Sequence, residues 1–456
     1  MEETLMKVVK FGGSSLANAA QVSKVVNIIK ADDQRRFVVV SAPGKRFSGD
    51  IKVTDLLIQY ANAVINKQDA TPITDQIIAR YQEIAEAFAI PAGDFEEIRS
   101  TILGLPQHDY QDNDYLMATF KAHGERLNAV LFAKVLTAQG LKAKYLDPRE
   151  AGLIVTDSPN DAEVIPESYD RISEWSASSL IRVIPGFFGY NLQGQICTFS
   201  RGGSDITGAI IARGVHADRY ENFTDVNAIY AANPAVVHNP IAIHHMTFRE
   251  MRELSYAGFS VFHDEALIPA IQGDVEVVVK NTNHPSERGT SITSTKRVNP
   301  AYPVSGIASS PNFCGIYIRK YMLDKKGYSQ KILNILAEHG LSYEHMPSGI
   351  DDLTVIMRQD QLTDDLEDTL IRELVIALRP DEIHITHDYS LLMVVGEGMV
   401  NRTGLMSKAT DALARQNVKL VMVNQGASEI SMMFGIQEDH ANIAVQALYD
   451  AFFPDL

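Results

Sequence analysis

Short apolar runs that end in glycine or serine, each followed by residues with helical periodicity, dominate the first part of the chain. Residues 6–11 (Met-Lys-Val-Val-Lys-Phe) form one such run, closed by Gly12, Gly13, Ser14 and Ser15. Beyond it Val22, Val25, Val26 and Ile29 share one helix face. Residues 36–42 are a second run with Ser41 at its end, followed by a basic loop of Pro43, Gly44, Lys45, Arg46 and Gly49 and a helical pattern from Leu56. Residues 70–140 read as helix, broken near Pro91, Gly104 and Pro106, and the last stretch has an apolar face of Leu127, Val130, Leu131 and Val135. Strand-like runs then alternate with helical ones at residues 143–146, 180–184, 195–199, 219–224 and 275–280. That alternation predicts an α/β unit, a mostly parallel sheet sandwiched by helices.

Between residues 293 and 303 the composition turns polar and Pro300 and Pro303 interrupt any pattern, so a boundary is expected there. Beyond it the chain repeats itself at an offset of 404 − 327 = 77 residues: Gly327-Tyr328-Ser329-Gln330-Lys331 resembles Gly404-Leu405-Met406-Ser407-Lys408. The same shift carries Leu336 to Leu413, Gly349 to Gly426 and Val355 to Met432. Each copy predicts a strand, a helix, two alternating strands and a second helix, hence two α+β modules of ferredoxin-like βαββαβ plan.

Composition narrows the function. A chain of 456 residues, 45% hydrophobic, exceeds one ordinary core, and its formal charge of −16 with no Lys/Arg block argues against nucleic acid as a partner. No run of about 18 apolar residues and no basic-then-apolar leader occurs, so neither a membrane partner nor secretion is expected. Cys197 and Cys314 are the only cysteines, too few for a disulfide framework or a cysteine zinc site, which fits a reducing cytoplasm. His244 and His245 are adjacent and cannot act as two metal ligands on one helix face, so no protein metal site is expected.

The chemistry concentrates at residues 198–205, Thr-Phe-Ser-Arg-Gly-Gly-Ser-Asp. Gly202 and Gly203 can adopt positive φ and let backbone N–H groups approach a ligand, while Ser204 and Asp205 suit the cap of a helix over residues 206–212. Such a turn binds anions at the positive end of a helix, and it also reads as an ordinary strand-to-helix turn with surface charge. The turn after Lys10 is a second of the same kind. Neither follows the Walker or the Gly-x-Gly-x-x-Gly spacing. Glu125, in Lys121-Ala122-His123-Gly124-Glu125-Arg126, is a solvated charge or a carboxylate poised for a ligand ammonium.

Lys10-Phe11-Gly12-Gly13-Ser14-Ser15, Val40-Ser41-Ala42, His123-Gly124-Glu125, residues 198–205, Thr224-Asp225-Val226 and the paired C-terminal repeats, in this order along the whole chain, resemble the aspartate kinase family. The resemblance implies an amino-acid-kinase domain over residues 1–296 and two ACT domains over 297–385 and 386–456, the second completed by the strand near 304–310. It also implies transfer of the ATP γ-phosphoryl group to the side-chain carboxylate of L-aspartate. A carboxylate with a pKa of about 3.9 is already ionised and needs no general base. The site must instead supply positioning and positive charge. Lys10, beside the Gly12, Gly13 and Ser14 turn, is the candidate for the transferred phosphate, held by Asp205. By resemblance Arg201 takes the α-carboxylate and Glu125 the ammonium, with Ser41, Thr54 and Ser204 adding hydroxyls. Thr224, Asp225 and Tyr230 go to the nucleotide, and Mg²⁺ is expected on the phosphates with few protein ligands.

The chain departs from the family pattern at three places. Asn233 and Ala235 stand where many members carry an acid and an arginine, Ser260 where they carry a lysine, and Ser200 where they carry a glycine. Lys45, Arg46 and Arg213 are the candidates to replace the lost charge. The resemblance also implies an effector site at Met322, Gly327, Tyr328, Ser329, Glu344 and Ser348. There the helix N-terminus suits a carboxylate and Glu344 a distal ammonium, which favours lysine over threonine as inhibitor. Open ACT sheet edges imply a homodimer or higher oligomer. The competing readings are a non-catalytic amino-acid sensor on a degenerate kinase domain and a kinase for another carboxylate or carbamate.

Overall fold

The structure is a computed structural model that describes residues 5–200, 202–259, 262, 264–299, 301–321 and 326–454. Arg201, Ser260 and Met322 lie outside the described residues. The chain forms two compact units. One takes the chain up to Ile229, Ala242–Met251 and the segment ending at Lys296; the other takes Tyr230–Ile241, Arg252–Phe259 and the chain from Arg297 onward.

The first unit is built on β1 (Lys7–Phe11), β2 (Arg35–Val40), β3 (Ala143–Tyr145), β4 (Ile181–Pro185), β5 (Arg219–Thr224), β6 (His245–Thr247), β7 (Glu276–Asn281) and β8 (Thr290–Thr293). They make one eight-stranded sheet in the order β6-β8-β7-β5-β1-β2-β4-β3. Every pairing is parallel except β7 with β8. Val8, Val9, Phe11 and Phe37 to Val40 are fully buried, as the central strands of a sheet covered on both faces must be. Because these strands run the same way, Phe11, Val40, Pro185, Thr224 and Asn281 all end on one edge, the edge where open α/β sheets bind ligands.

Helices α1 (Ala19–Lys30), α2 (Val53–Ile65) and α3 (Asn113–Ala138) follow the periodic stretches. Asn18 caps α1 by accepting from the Gln21 N–H at 3.0 Å, and Asp112 caps α3 through the Asp114 and Tyr115 N–H groups. One expected strand of the parallel sheet falls elsewhere. Ile196–Thr198 pairs antiparallel with Phe188–Tyr190 in a separate hairpin. Gly194, at φ +82°, closes that hairpin, and the Asn191 N–H donates to the Gln195 carbonyl at 2.9 Å. The apolar run was read correctly, but with only three residues per arm its turn geometry decides its partner.

The second unit holds an antiparallel five-stranded sheet of β9 (Gly306–Arg319), β10 (Asp352–Arg358), β11 (Glu382–Val395), β12 (Leu420–Asn424) and β13 (Ser431–Gln437), in the order β10-β9-β11-β13-β12. β9 shifts register between Ser310 and Phe313. Its first half pairs only with the second half of β11, and its second half lies between β10 and the first half of β11. Helices Tyr328–Glu338 and Leu405–Arg415 both start from a left-handed glycine, Gly327 at φ +82° and Gly404 at φ +83°, the matched positions of the repeat. In the first copy, one of the two strands expected between the helices is reduced to isolated bridges, His345 to Ile356 and Ser348 to Leu353. Pro347, which has no N–H to give a ladder, lies between them.

Candidate active site

Strand β1 delivers Lys10 to the ligand edge between Val39 of β2 and Asn222 of β5. The Lys10 ammonium sits 2.7 Å from Asp205 Oδ1, and Asn222 Nδ2 donates to the same oxygen at 2.6 Å. Asp205 lies in the first turn of helix α4 (Gly203–Gly214). Lys10 is only 7% exposed, and an ion pair at this distance and an effective ε of about 20 is worth roughly 4 kcal/mol or more before desolvation, enough to fix the amine's direction. The cap of α4 is Gly202, at φ +72°, rather than Ser204 or Asp205, which fall inside the first turn. Gly203 has ordinary helical geometry; it is small because an added methyl would lie 2.6 Å from the Phe187 ring.

Gly12 leads into a single tight turn, Gly13–Leu16, and a methyl on Gly12 would sit 3.5 Å from the Lys10 ammonium. The basic loop after β2 presses directly on this turn. The Gly44 N–H donates to the Gly13 carbonyl at 2.8 Å, and a Cβ on Gly44 would lie 2.5 Å from the Gly13 carbonyl carbon. Arg80, buried, holds the loop from behind by donating to the Gly44 and Ile51 carbonyls and to Asp50. Arg46 also pairs with Asp50, at 3.0 Å. The result is a small cleft of about 180 Å³ lined by Ser14, Ser15, Lys45, Arg46 and Asp225 among others.

Glu125 projects from α3 beneath the end of β2. It is 5% exposed, and one carboxylate oxygen accepts from the Ala42 N–H at 3.1 Å. The other oxygen is buried and has no hydrogen-bond partner among the described residues. Burial pushes its carboxyl up to about 8, against the opposing pull of the Ala42 N–H, Lys10 and Lys121. Gly124 permits the approach, since a Cβ there would lie 2.9 Å from Ala42 Cβ and 3.9 Å from Thr54 Oγ1. Asn128 anchors the same strand end by donating to the Ser41 carbonyl at 2.6 Å. Ser204 is buried against Gly186, where a methyl would come within 2.5 Å of its Oγ.

Thr224 ends β5 and donates to Asp225 Oδ1 at 3.1 Å, while Asn281 Nδ2 at the end of β7 donates to the Asp225 carbonyl at 3.2 Å. Lys10, Gly12, Gly13, Ser14, Ser41, Thr54, Glu125, Ser204, Asp205, Thr224 and Asp225 therefore belong to the first unit, most of them along one sheet edge. Tyr230 is counted with the second unit. Arg213 is not at this edge: it stacks 3.8 Å over the Tyr169 ring and donates to Gln272 from the far end of α4. Among the described residues no group of three or more His, Cys, Asp or Glu is arranged to hold a metal.

Sequence reasoning missed Asn222, Asn281 and Arg80. Each left a signal. Glu221 and Asn222 are adjacent polar residues in a central strand, and Arg80 lies on the apolar stripe of Ile77, Tyr81 and Ile84, where only a partnered guanidinium is tolerated.

Of the effector candidates in the second unit, Gly327 opens a helix, Tyr328 is buried with an unpartnered hydroxyl, and Ser329 follows in the first turn. Ser348 bridges Leu353 near the end of β10 that pairs with Arg319. Glu344 lies apart from Ser348. Its N–H donates to the Ile356 carbonyl at 2.8 Å, three residues or about 10 Å further along β10, and its carboxylate accepts from the Tyr256 hydroxyl.

The chain matches the amino acid kinase family over residues 6–281 and the ACT domain over residues 392–452. It is 48% identical to aspartokinase 3 of Bacillus subtilis across 98% of this chain and 99% of that protein. Against the chloroplastic aspartokinase 1 of Arabidopsis thaliana the identity is 25%, across 99% and 81%. The solved structure of Clostridium acetobutylicum aspartate kinase, an allosteric enzyme, matches at a TM-score of 0.86 and 38% identity, covering 98% of this chain and all of that one. E. coli aspartokinase III, solved with aspartate and ADP, shares the fold at a TM-score of 0.78 and 24% identity, with coverages of 98% and 100%. With these likenesses spanning both units, the chain belongs to the amino acid kinase family and, within it, to the aspartokinases.

Proposed function

We propose that this aspartokinase transfers the γ-phosphoryl group of ATP to the side-chain carboxylate of L-aspartate, giving 4-phospho-L-aspartate, the first step toward lysine, threonine and methionine. The observation that carries the reading is the pairing, on one sheet edge, of a salt-bridged Lys10 with a buried Glu125 that has one oxygen unpartnered. The bond from the bridging oxygen to the γ-phosphorus breaks as a carboxylate oxygen bonds to that phosphorus, and no proton has to be removed. Lys10, oriented by Asp205 and Asn222, faces the negative charge of the transferred group, and the turn after Gly12 brings backbone N–H groups beside it. Glu125 holds the substrate ammonium, Ser41, Thr54 and Ser204 add hydroxyls, and by family resemblance Arg201 takes the α-carboxylate. The nucleotide lies toward Ser14, Thr224, Asp225 and Tyr230.

Two cations in the cleft, Lys45 and Arg46, suit the phosphate tail and replace charge absent at Ala235 and Ser260. Ser14 and Asp225, which line the same polar cleft, would hold Mg²⁺ together with the phosphates, and the ion would supply charge neutralisation there. Residues 1–296 are the kinase domain, and 297–385 with 386–456 the interleaved ACT pair. In our reading the ACT pair binds lysine as a feedback inhibitor at Gly327, Tyr328, Ser329, Glu344 and Ser348, joins two copies into a homodimer, and works in the cytoplasm. Among the described residues no helix is long and apolar enough to cross a membrane. The test is hydroxamate trapping of acyl phosphate from ATP, Mg²⁺ and L-aspartate, with and without lysine. Absence of trapped product from L-aspartate removes the proposed reaction, and product formation indifferent to lysine removes the proposed effector.

A further inference from the structure

Arg80 stands on the helix Thr71–Ala87, in the apolar stripe of Ile77, Tyr81 and Ile84, and is 4% exposed. Stability does not call for an arginine there. An apolar side chain of similar length would bury in that stripe without the desolvation cost of a guanidinium, and a buried ion pair is often no more stabilising than the apolar groups that could replace it. What the guanidinium does is gather one loop, residues 43–51. Its Nη1 donates to Asp50 Oδ2 and to the Ile51 carbonyl, each at 2.9 Å, and its Nη2 donates to the Gly44 carbonyl. Asp50 in turn holds Arg46, whose backbone N–H and Nε donate to Oδ2 at 2.9 and 3.0 Å and whose Nη2 donates to Oδ1 at 3.2 Å. Two guanidiniums thus converge on one carboxylate, and both ends of the loop are tied to its middle.

Gly44 is held on both sides. Its carbonyl accepts from Arg80, and its N–H donates to the Gly13 carbonyl at 2.8 Å, in the turn that follows the strand of Lys10. A methyl on Gly13 would lie 3.2 Å from the Gly44 Cα, so loop and turn meet backbone to backbone, and a shift in one moves the other. The same loop carries Lys45 and Arg46 to the cleft that Ser14, Ser15 and Asp225 also line. The amino-acid end has anchors of its own: Asn128 donates to the Ser41 carbonyl, and the Ala42 N–H donates to Glu125. We propose that Arg80 is a positioning residue for the nucleotide: without touching it, Arg80 fixes the 43–51 loop so that Gly44 sets the glycine turn beside Lys10 and Lys45 meets the phosphate tail. This rests on the function proposed above.

The experiment compares wild type, Arg80→Met, Arg80→Lys and Ile77→Ala, with acyl phosphate trapped as hydroxamate. Ile77, fully buried one turn earlier on the same helix, is the control, since its truncation loosens the helix and removes no hydrogen bond to the loop. Arg80→Met should raise KM for ATP about tenfold or more, toward the roughly hundredfold that a misplacement of about 1 Å can cost, with KM for L-aspartate within about twofold. Arg80→Lys keeps the charge but cannot span all three acceptors, and should fall between wild type and Arg80→Met. Ile77→Ala, assayed well below its melting temperature, should keep KM for ATP within about twofold of wild type. An unchanged KM for ATP in Arg80→Met, an equal rise in both KM values, or the same rise in Ile77→Ala overturns the proposal. If Arg80→Met does not fold, Arg80→Lys is judged by the same criteria. A wild type that yields no acyl phosphate at all defeats the underlying reading, an outcome separable from a normal enzyme indifferent to Arg80.

Discussion

If the ionised form of Glu125 receives the substrate ammonium, the unliganded protein is competent only in the fraction that carries the charge. Burial raises this carboxyl to about 8, so at pH 7 roughly a tenth of the free protein is ionised. kcat/KM for aspartate should then climb about tenfold between pH 7 and pH 9 and level off, because this ratio reports the free enzyme. kcat, which reports the bound complex, should rise at lower pH, since the ammonium restores the carboxylate. Stability must move the opposite way. The folded value lies above the 4.5 of the unfolded chain, so between about pH 4.5 and 8 the native state keeps a proton that the unfolded state has released. Unfolding free energy therefore falls as pH rises through that window, by up to about 1.4 kcal/mol per unit from this group. Glu125→Gln should flatten this decline while weakening aspartate binding strongly. Initial rates and thermal melts for both proteins from about pH 6 to pH 9 make the measurement. A flat kcat/KM in wild type, or an ascending limb that survives in Glu125→Gln, refutes the reasoning.

Lys10→Ala should lower kcat by about 10²–10³, the range for one transition-state donor, and melt close to wild type because Asn222 still holds Asp205; near-normal turnover would remove Lys10 from the mechanism. Gly44→Ala should cost about 1–3 kcal/mol and raise KM for ATP, since its Cβ would lie 2.5 Å from the Gly13 backbone. Gly93→Ala, with nothing within 4 Å of the added methyl, serves as the control in the same melts and assays. Glu344→Ala should relieve lysine inhibition without lowering turnover, and Tyr256→Phe, which removes the hydroxyl that Glu344 accepts, should shift the inhibition curve as well. Identical lysine titrations for wild type and Glu344→Ala would exclude Glu344 from the effector response.

The strands and helices of the first unit were legible because their signals are local and strong. Val8-Val9 and Phe37 to Val40 are buried on both faces, and Val22, Val25, Val26 and Ile29 sit on one. The glycine turns were legible as breaks that lead into helical residues, but the reasons for individual glycines were not. Gly13, Gly44, Gly124 and Gly203 keep ordinary φ and are small because something distant packs on them, and sequence spacing carries no trace of a contact between loops. The pairing of residues 196–198 was lost in the same way, since a three-residue apolar run does not say which strand it will meet. In the second unit the 77-residue offset foretold two similar modules. The offset alone says nothing of strand exchange; that the strand near 304–310 joins the second module was an expectation of the family resemblance, and the first half of β9 pairs with the second half of β11 across a register shift at Ser310 to Phe313.

The site meets its charges in two different ways, and the difference follows from the ligands. Lys10 has a resident counter-ion in Asp205, itself steadied by Asn222. A strongly charged phosphate can compete with that pair for the amine without removing it. Glu125 has no such counter-ion: one of its oxygens is buried without a partner among the described residues, and burial makes its charge costly unless a ligand cation supplies one. Selectivity for an ammonium then comes from the unmatched state of the protein as much as from contacts in the complex. If the ammonium goes to Glu125, a ligand lacking it leaves a buried carboxylate oxygen unsatisfied, a penalty of about 1–3 kcal/mol.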